Sequence, residues 1–265
     1  MDFDKLSTSA IELFHQNKPL ITTAAGILSI SATIPLLSRV RADYNAWYAL
    51  GPNALPLNPF GYAFQAIAGL FARLDTRVPA PYDATALSQT PRYGPLSQRS
   101  FLPTSIPQRS GARPDVPTFV GPQRQTSQRA SADMRAAQEA FLHALAAANE
   151  ALLRVMPSNL EGPLFNGLYL QKGLAVRDEI RRLNGEFAHP HGEGSTHAVL
   201  SLVDAATAIE SGWAERHRMS GMGSLIPWGF VLVYAPRDEA ELGIWKEFVA
   251  ASARYALGDV ELEAS

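Results

Sequence analysis

Four histidines concentrated in a short stretch are the residues of this sequence best suited to chemistry. His189, His191 and His197 stand within nine residues in the segment H-P-H-G-E-G-S-T-H, and His217 follows twenty residues later. Residues two positions apart in an extended chain share a face, so His189 and His191 can converge. The glycines of the segment permit a tight turn that would return His197 beside them. Such a cluster suits proton transfer near neutral pH or metal binding, and the sequence leaves both open.

The histidines could also have purely structural roles or bind a metal ion. A single loop histidine usually caps a turn or bonds to the backbone, but so many in one stretch favour a functional cluster. A metal site of His189, His191 and His197, completed by Glu186 or Glu193, would need no cysteine, although we do not expect a metal to be required. Ser195 lies outside the strand–turn–helix setting of a hydrolase nucleophile. The sequence also lacks the common glycine-rich nucleotide-binding and calcium-loop motifs.

Arginine and aromatic side chains near the histidines could hold an anionic substrate. In the segment G-W-A-E-R-H, Arg216 is a candidate planar donor to an enolate or carboxylate, and Trp213 a candidate wall for an aromatic ligand. The segment 203–217 is predicted to be a helix, so Arg216 and His217 could equally complement the negative end of its dipole. Arg237 follows Tyr234 in Y-A-P-R, where it could point into a site or pair with a local carboxylate.

Composition limits the class of protein. The chain has 265 residues, of which 46% are hydrophobic, a net charge of −2 and no cysteine. This is enough apolar material for one large domain or two small ones, and near-neutrality argues against a nucleic-acid binder. Without cysteine, disulfides, thiolate nucleophiles and iron–sulfur clusters are excluded. The 19 arginines against 4 lysines indicate arginines with structural or anion-binding roles, because Arg is preferred for buried and bidentate partners.

A charge-free run from Pro19 to Ser38 predicts a single transmembrane helix, since twenty residues span about 30 Å. A buried core helix is the alternative, and a signal peptide is disfavoured because the preceding segment is not basic. Basic residues nearly balance across the run, so its orientation stays open. Aromatic residues follow the run where an interfacial aromatic belt is expected, at Tyr44, Trp47 and Tyr48.

A second apolar segment, Phe60–Leu74, is too short to span a membrane. It predicts an amphipathic helix on the membrane or on the domain, or an ordinary core helix.

The remaining pattern predicts an α+β fold, a small sheet with packed helices, after the transmembrane helix. Nine of the 19 prolines fall between Pro79 and Pro122, a composition typical of a disordered linker, although 116–120 has the pattern of a short strand. A long helix capped by Ser131 is predicted to run to Met156, and strands then alternate with helices. The predicted divisions are an N-terminal segment at 1–18, the transmembrane helix at 19–38, a juxtamembrane helical segment at 39–78, and the α+β domain at 79–265, of which 79–110 could be flexible.

At these residues the sequence resembles the fungal luciferase family and its wider luciferase-like relatives. The matching motifs are G-A-R-P at 111–114, P-Q-R-Q at 122–125, the histidine segment, G-W-A-E-R-H and Y-A-P-R-D-E, in that order. A-D-Y and G-P-N after the predicted anchor also look like the family, and the anchor-first layout agrees. The resemblance runs from about Arg41 to Leu257. It implies that 113–125 is an ordered part of the domain.

The resemblance implies an O₂-dependent oxygenase on a single-pass membrane anchor, in an endomembrane such as the ER. Luminous members add O₂ to a hydroxylated pyranone, 3-hydroxyhispidin, and the peroxide then loses CO₂. Such chemistry needs a base, cationic donors and a dry aromatic pocket, but a preformed enolate can react with O₂ without flavin or metal. The implied partners are a pyranone or phenolic substrate and the lipid bilayer. The implied site residues are the bases His189, His191, His197 and His217, the anion holders Arg113, Arg124 and Arg216, and the walls Trp213 and Tyr234.

One departure from the family concerns light emission. Luminous members carry a longer, more histidine-rich segment where this chain has residues 192–196, which favours a non-luminous or weakly luminous relative. Two other functions stay open at this point. One is a non-catalytic ligand-binding or membrane scaffold of the same fold, and the other is a metal-dependent hydrolase.

Overall fold

The computed structural model describes residues 17–18, 22–23, 31, 33–103, 105–223, 225–258, 260 and 262–263. The chain divides into two compact units, at 1–49 and 50–265. In the first unit the backbone is helical over 33–48, and the Tyr44 ring lies 6.0 Å from the rings of Trp47 and Tyr48. The predicted transmembrane helix at 19–38 lies mostly outside the described residues. Among the helices that are described, none combines the length and apolar character of a membrane span.

The second unit contains a six-stranded antiparallel sheet. Its strands are β1 Leu153–Ser158, β2 Gly162–Leu170, β3 Glu186–Pro190, β4 Thr196–Val199, β5 Ala214–Arg216 and β6 Phe230–Val233. They are arranged in the order β1-β2-β3-β4-β6-β5, so β6 lies between β4 and the edge strand β5. Helices packed on this sheet make the unit an α+β arrangement.

Five of the seven helices named in this paragraph begin after a side chain that caps the helix N-terminus. The seven are α1 Pro59–Gly69, α2 Ala84–Ser88, a 3₁₀ helix Pro95–Gln98, α3 Ala132–Ala148, α4 Asp178–Arg181, α5 Leu202–Glu210 and α6 Glu239–Leu257. The Ser131 hydroxyl accepts a hydrogen bond from the Met134 amide at 3.2 Å, and the Asp238 carboxylate accepts one from the Glu241 amide at 2.9 Å. Helix α6 packs on β3 and β4, and α3 packs on β1 and α6.

The two faces of the sheet have different roles. Ala188, Ala198 and Val231 belong to the apolar core beneath the helices. Alternate residues of a strand point to opposite faces, so the neighbours His189 and His197 point to the other face. Loops and α1 cover that face, and the histidines lie between it and this cover.

Helix α1 presents apolar side chains to solvent. Phe60 is 84% exposed and Phe64 is 64% exposed, whereas the buried residues of the helix are Gly61 and Gln65. This pattern disagrees with an ordinary core helix at 60–74.

The proline-rich segment packs against the domain, in contrast to a loose linker. Two aromatic residues of this segment, Tyr93 and Phe101, are buried. The Asp204 carboxylate of α5 accepts hydrogen bonds from the Phe101 amide at 2.8 Å and from the Ser100 hydroxyl at 2.6 Å. These contacts hold the segment on the domain, although its composition alone predicts disorder.

Three local predictions differ from the structure. Helix α3 ends at Ala148, and β1 occupies the last part of the predicted helix, because the Asn149 side chain donates to the Leu145 carbonyl and caps the helix end. Helix α5 ends before Gly212, whose positive φ of 83° starts the turn into β5. The segment 116–120 is irregular, with Pro117 inside it, and is not a strand.

Candidate functional site

Strand pairing brings the four histidines together. His189 of β3 and His197 of β4 are direct partners across the sheet, with ring centroids 5.3 Å apart. His191 lies two positions beyond His189, and its ring centroid is 4.9 Å from that of His197. His217 follows β5, and its amide donates to the Phe230 carbonyl at 3.1 Å, which brings its ring centroid to 5.2 Å from that of His197. We call these four residues the histidine cluster.

The histidine cluster lies at the end of an apolar cavity. Its members are between 1% and 9% exposed, and His189, His197 and His217 line a cavity of about 320 Å³. The Phe230 ring stacks on the His197 ring, with centroids 4.7 Å apart and planes at 15°. Other walls come from Leu55, Phe64, Leu160, Met219, Leu225 and Ile226. A cavity of this size and lining suits a small aromatic ligand with few polar groups.

Hydrogen bonds fix which nitrogen of each ring carries a proton. Nδ1 of His197 lies 3.2 Å from the Val231 carbonyl oxygen, which can only accept, so Nδ1 is protonated and Nε2 holds the lone pair. Nδ1 of His217 accepts from the Met219 amide at 3.1 Å, so its neutral ring carries the proton on Nε2. His197 therefore has one basic nitrogen and His217 one N–H donor, and both residues line the cavity.

His191 has the same tautomer as His197. The Ser195 hydroxyl donates its one proton to the Glu193 carboxylate and can only accept from Nδ1 of His191, at 2.9 Å. Nε2 of His191 is buried and has no hydrogen-bond partner among the described residues. Oε2 of Glu161 lies 3.8 Å from this nitrogen.

Burial keeps the rings neutral. It lowers the pKa of His191 and of His197 well below the usual range, and the neighbouring histidines lower it further. It lowers the pKa of His217 to about 4, despite an opposing backbone contact at Val120. Neutral imidazoles can accept a proton or bind a metal ion, whereas protonated ones can do neither.

A buried carboxylate stands behind His189. Nδ1 of His189 lies 2.9 Å from Oε1 of Glu186, whose side chain is fully buried. Glu186 also accepts hydrogen bonds from the Ser158 hydroxyl at 2.6 Å, the Asn159 amide at 2.9 Å and the Tyr169 hydroxyl at 2.8 Å. Burial alone would raise the pKa of Glu186, but His189 and these donors outweigh it and hold that pKa below its ordinary value. Glu186 is therefore an anion at neutral pH.

Arg124 lies beside the histidine cluster but is already paired. Its guanidinium forms an ion pair with Glu161 and donates to the carbonyls of Leu50 and Pro52. Both charged side chains are 6% exposed, and the second oxygen of Glu161 faces His191. In this arrangement Arg124 positions Glu161 and the loop at 50–52, whereas the sequence suggested that it holds a substrate anion.

The other predicted arginines lie away from the cavity. Arg216 donates to the carbonyls of Trp228 and Pro79, both at 2.6 Å, because its strand position opposes Val231 on the core face. Arg113 donates to the Ala214 carbonyl at 2.9 Å. These guanidiniums satisfy buried carbonyls, which corrects their assignment as anion holders.

The remaining predicted site residues are also engaged elsewhere. Nε1 of Trp213 donates to the Pro107 carbonyl at 2.7 Å, and the Tyr234 hydroxyl donates to Glu215 at 3.1 Å. Neither aromatic ring lines the cavity among the described residues. Nε of Arg237 donates to Glu241 at 2.7 Å, so the local carboxylate that the sequence left as its alternative partner is the one it has.

Glu161 and Phe230 also belong to the site, and nothing in the sequence predicted either of them. Glu161 stands 28 residues before His189, in the turn between β1 and β2, and nothing in its spacing points to the histidines. Phe230 looks like any apolar residue of a β-prone run. Only the strand order, with β6 between β4 and β5, places its ring on His197.

The sequence is similar to those of known luciferases. The luciferase domain family matches residues 184–252, the part of the chain that contains all four clustered histidines. The chain is 27% identical to the luciferase of Armillaria mellea over 261 residues, which covers 92% of this chain and 91% of the relative. It is 24% identical to the luciferase of Neonothopanus nambi over 282 residues, which covers 96% of each. No solved structure matches the chain. The resemblance found in the sequence motifs is thereby confirmed: the chain is similar to fungal luciferases over most of its length, and its residues 184–252 match the luciferase domain family.

Proposed function

We propose that the chain is an O₂-dependent oxygenase that acts on a hydroxylated pyranone, such as 3-hydroxyhispidin, or on a related phenolic compound. The observation that carries this proposal is the meeting of four buried histidines, of which His189, His197 and His217 line an apolar cavity. A flat ring with an acidic enol hydroxyl would fit this cavity with the hydroxyl toward the imidazoles.

Enolate formation is the step for which the cluster is best suited. Nε2 of His197 holds a lone pair and would take the enol proton, and Nε2–H of His217 would donate to the enolate oxygen. In a site without bulk water, a positioned donor stabilises such a charge more strongly than water does. Positioned acid–base groups typically contribute about 10²- to 10⁴-fold in rate.

The enolate itself would supply the electrons for O₂. Its carbon forms a bond to one oxygen atom, and the resulting peroxide attacks the lactone carbonyl of the same molecule. Loss of CO₂ then cleaves the O–O bond, so one O₂ is consumed and one CO₂ is released for each substrate, without an external reductant. The apolar walls exclude the water that would otherwise quench the reactive intermediates.

Turnover of 3-hydroxyhispidin under O₂, with O₂ uptake, CO₂ release and light measured together, tests the proposal. Uptake of O₂ with equal release of CO₂ supports the proposal, with or without light.

Variants test the roles of the histidines. His197→Ala and His217→Ala should each lower kcat/KM by about 10²-fold or more. His143→Ala is the matched control, because His143 is exposed on α3 and pairs with Glu139. Tight binding without turnover would contradict the proposal and favour the non-catalytic scaffold.

Membrane association remains part of the proposal. Exposed apolar side chains on and just after α1 support it, and Phe64 belongs both to this surface and to the cavity wall. An apolar substrate dissolved in lipid would then enter the cavity directly. Flotation with phosphatidylcholine vesicles should show bound protein, and Phe60→Glu with Leu70→Glu should weaken the binding. Protein that stays entirely in the aqueous fraction would contradict association.

A further inference from the structure

We propose that His189, His191 and His197 form a binding site for one divalent transition-metal ion. One ring nitrogen from each of the three lies within 4.8 Å of the other two. In a tetrahedral site with metal–nitrogen bonds of about 2.1 Å, the nitrogens are about 3.4 Å apart, so modest rotation of the rings would complete the site.

The partners of the Nδ1 atoms match those of metal-binding histidines. Such residues usually present Nδ1–H to a carboxylate, carbonyl or hydroxyl, which leaves Nε2 for the metal ion. Here Nδ1 faces the Val231 carbonyl in His197, the Ser195 hydroxyl in His191 and a carboxylate in His189. All three Nε2 atoms therefore remain for one shared ligand.

Two ring nitrogens also lack the contacts that buried polar atoms normally have. Neither Nε2 of His191 nor Nδ1 of His189 has a well-aligned hydrogen-bond partner within the described part of the chain. A metal ion at the centre would bind Nε2 of His191 directly. The small ring rotation that it requires would allow Nδ1 of His189 to align with Glu186.

The donor set indicates the kind of ion. Three imidazoles suit Zn²⁺, Co²⁺, Fe²⁺ or Cu²⁺ and not Mg²⁺ or Ca²⁺, which require oxygen ligands. Glu186 supplies one buried negative charge beside His189. His189 and His197 line the cavity, so the fourth position of the ion would face it. With the ion bound, Nε2 of His197 could not also take the enol proton, and an enolate oxygen could instead bind at the fourth position of the ion; that last step rests on the proposed function, whereas metal binding itself does not.

Titration of metal-free protein with Co²⁺ tests the site without any substrate. We expect one Co²⁺ per chain, visible absorption typical of nitrogen ligands, and three exchangeable proton signals shifted by the ion, one for each Nδ1–H. The proton signals need only the native protein. Failure to bind Co²⁺ or Zn²⁺ at micromolar concentration, or the absence of shifted imidazole protons, would overturn the proposal.

Variants sharpen this test. His191→Gln should weaken Co²⁺ binding at least 100-fold, and Glu186→Gln should weaken it about 10- to 100-fold through the orientation of His189. His143→Ala should bind as the native protein does. Unchanged binding by a folded His191→Gln variant would contradict the site. Co²⁺ binding without O₂ uptake would contradict only the proposed reaction, and O₂ uptake by a protein that binds no Co²⁺ would contradict only the metal site.

Discussion

Glu186 and His189 are three residues apart in β3 and yet share one face of the sheet. An odd separation normally places strand residues on opposite faces. Here the register with β2 changes, with Leu168 opposite Ala188 but Tyr169 opposite Glu186, so β3 contains one extra residue. This bulge turns the carboxylate toward the imidazole, at 2.9 Å. The site therefore depends on a local irregularity as well as on the regular pairing of His189 with His197.

Gly167→Ala should disturb this bulge. A Cβ at residue 167 would stand 2.8 Å from Oε1 of Glu186, whose four contacts leave it little freedom to move. We expect a loss of about 1–3 kcal/mol in the free energy of unfolding, measured with urea, together with slower turnover. Gly243→Ala is the control, because its added Cβ meets nothing within 4 Å on the exposed side of α6. This control should be neutral or stabilising by up to about 1 kcal/mol, and a similar loss in both variants would contradict the role given to Gly167.

Glu179 should make the fold less stable as the pH rises. Burial raises the pKa of Glu179 to about 7, although Tyr255 and Arg177 act in the opposite direction. The unfolded chain releases this proton near pH 4.5 and the folded chain near pH 7. The free energy of unfolding should therefore fall by about 1.4 kcal/mol per pH unit between these values, and by about 3 kcal/mol in all.

Urea unfolding at pH 5 and pH 8 measures this effect. Glu179→Gln cannot ionise and should remove most of the fall between the two pH values. Glu150→Gln, at an exposed position, serves as the control and should keep the native pH dependence. A fall of the native size in Glu179→Gln would show that another group is responsible.

The sequence was most informative where one local rule decides the outcome. The Ser131 cap and the apolar periodicity after it predict where α3 begins, although α3 ends at Ala148, before the predicted end at Met156. The alternation rule also predicts that His189 and His191 converge, and the tight turn that follows brings His197 opposite His189. These features depend on residues near one another in the chain.

Features that depend on distant parts of the chain were not predictable in the same way. Arg216 and His217 are neighbours, yet one points to the core face and the other to the cavity, because residue 214 begins a strand where a helix was predicted. The positive φ of Gly212 is the local signal for that change. The pairing of Glu161 with Arg124 offers no such signal, because it joins two loops 37 residues apart.

Arg216 should contribute to stability and leave substrate binding unchanged. Its guanidinium bonds to the carbonyls of Trp228 and Pro79, and it is fully buried. Arg216→Lys cannot reach both carbonyls in the same planar geometry, so we expect about 1–3 kcal/mol less stability. KM for 3-hydroxyhispidin should stay within about twofold of the native value at a temperature where the variant is folded, since about 1.4 kcal/mol would be needed for a tenfold change. A large rise in KM would restore the anion-holding role that the sequence suggested.

Arg124 and Glu161 should show strong energetic coupling. Both side chains are 6% exposed, so removal of one leaves a buried charge without its partner. Arg124→Met alone should cost about 3–5 kcal/mol in the free energy of unfolding. The double variant with Glu161→Leu should recover part of this loss, because two apolar side chains need no charged partner, although the bonds to the carbonyls of Leu50 and Pro52 are still absent. Urea unfolding of the four proteins of this double-mutant cycle gives the coupling energy directly. Additive losses in the double variant would show that the pair is not coupled. They would contradict the role of Arg124 in positioning Glu161.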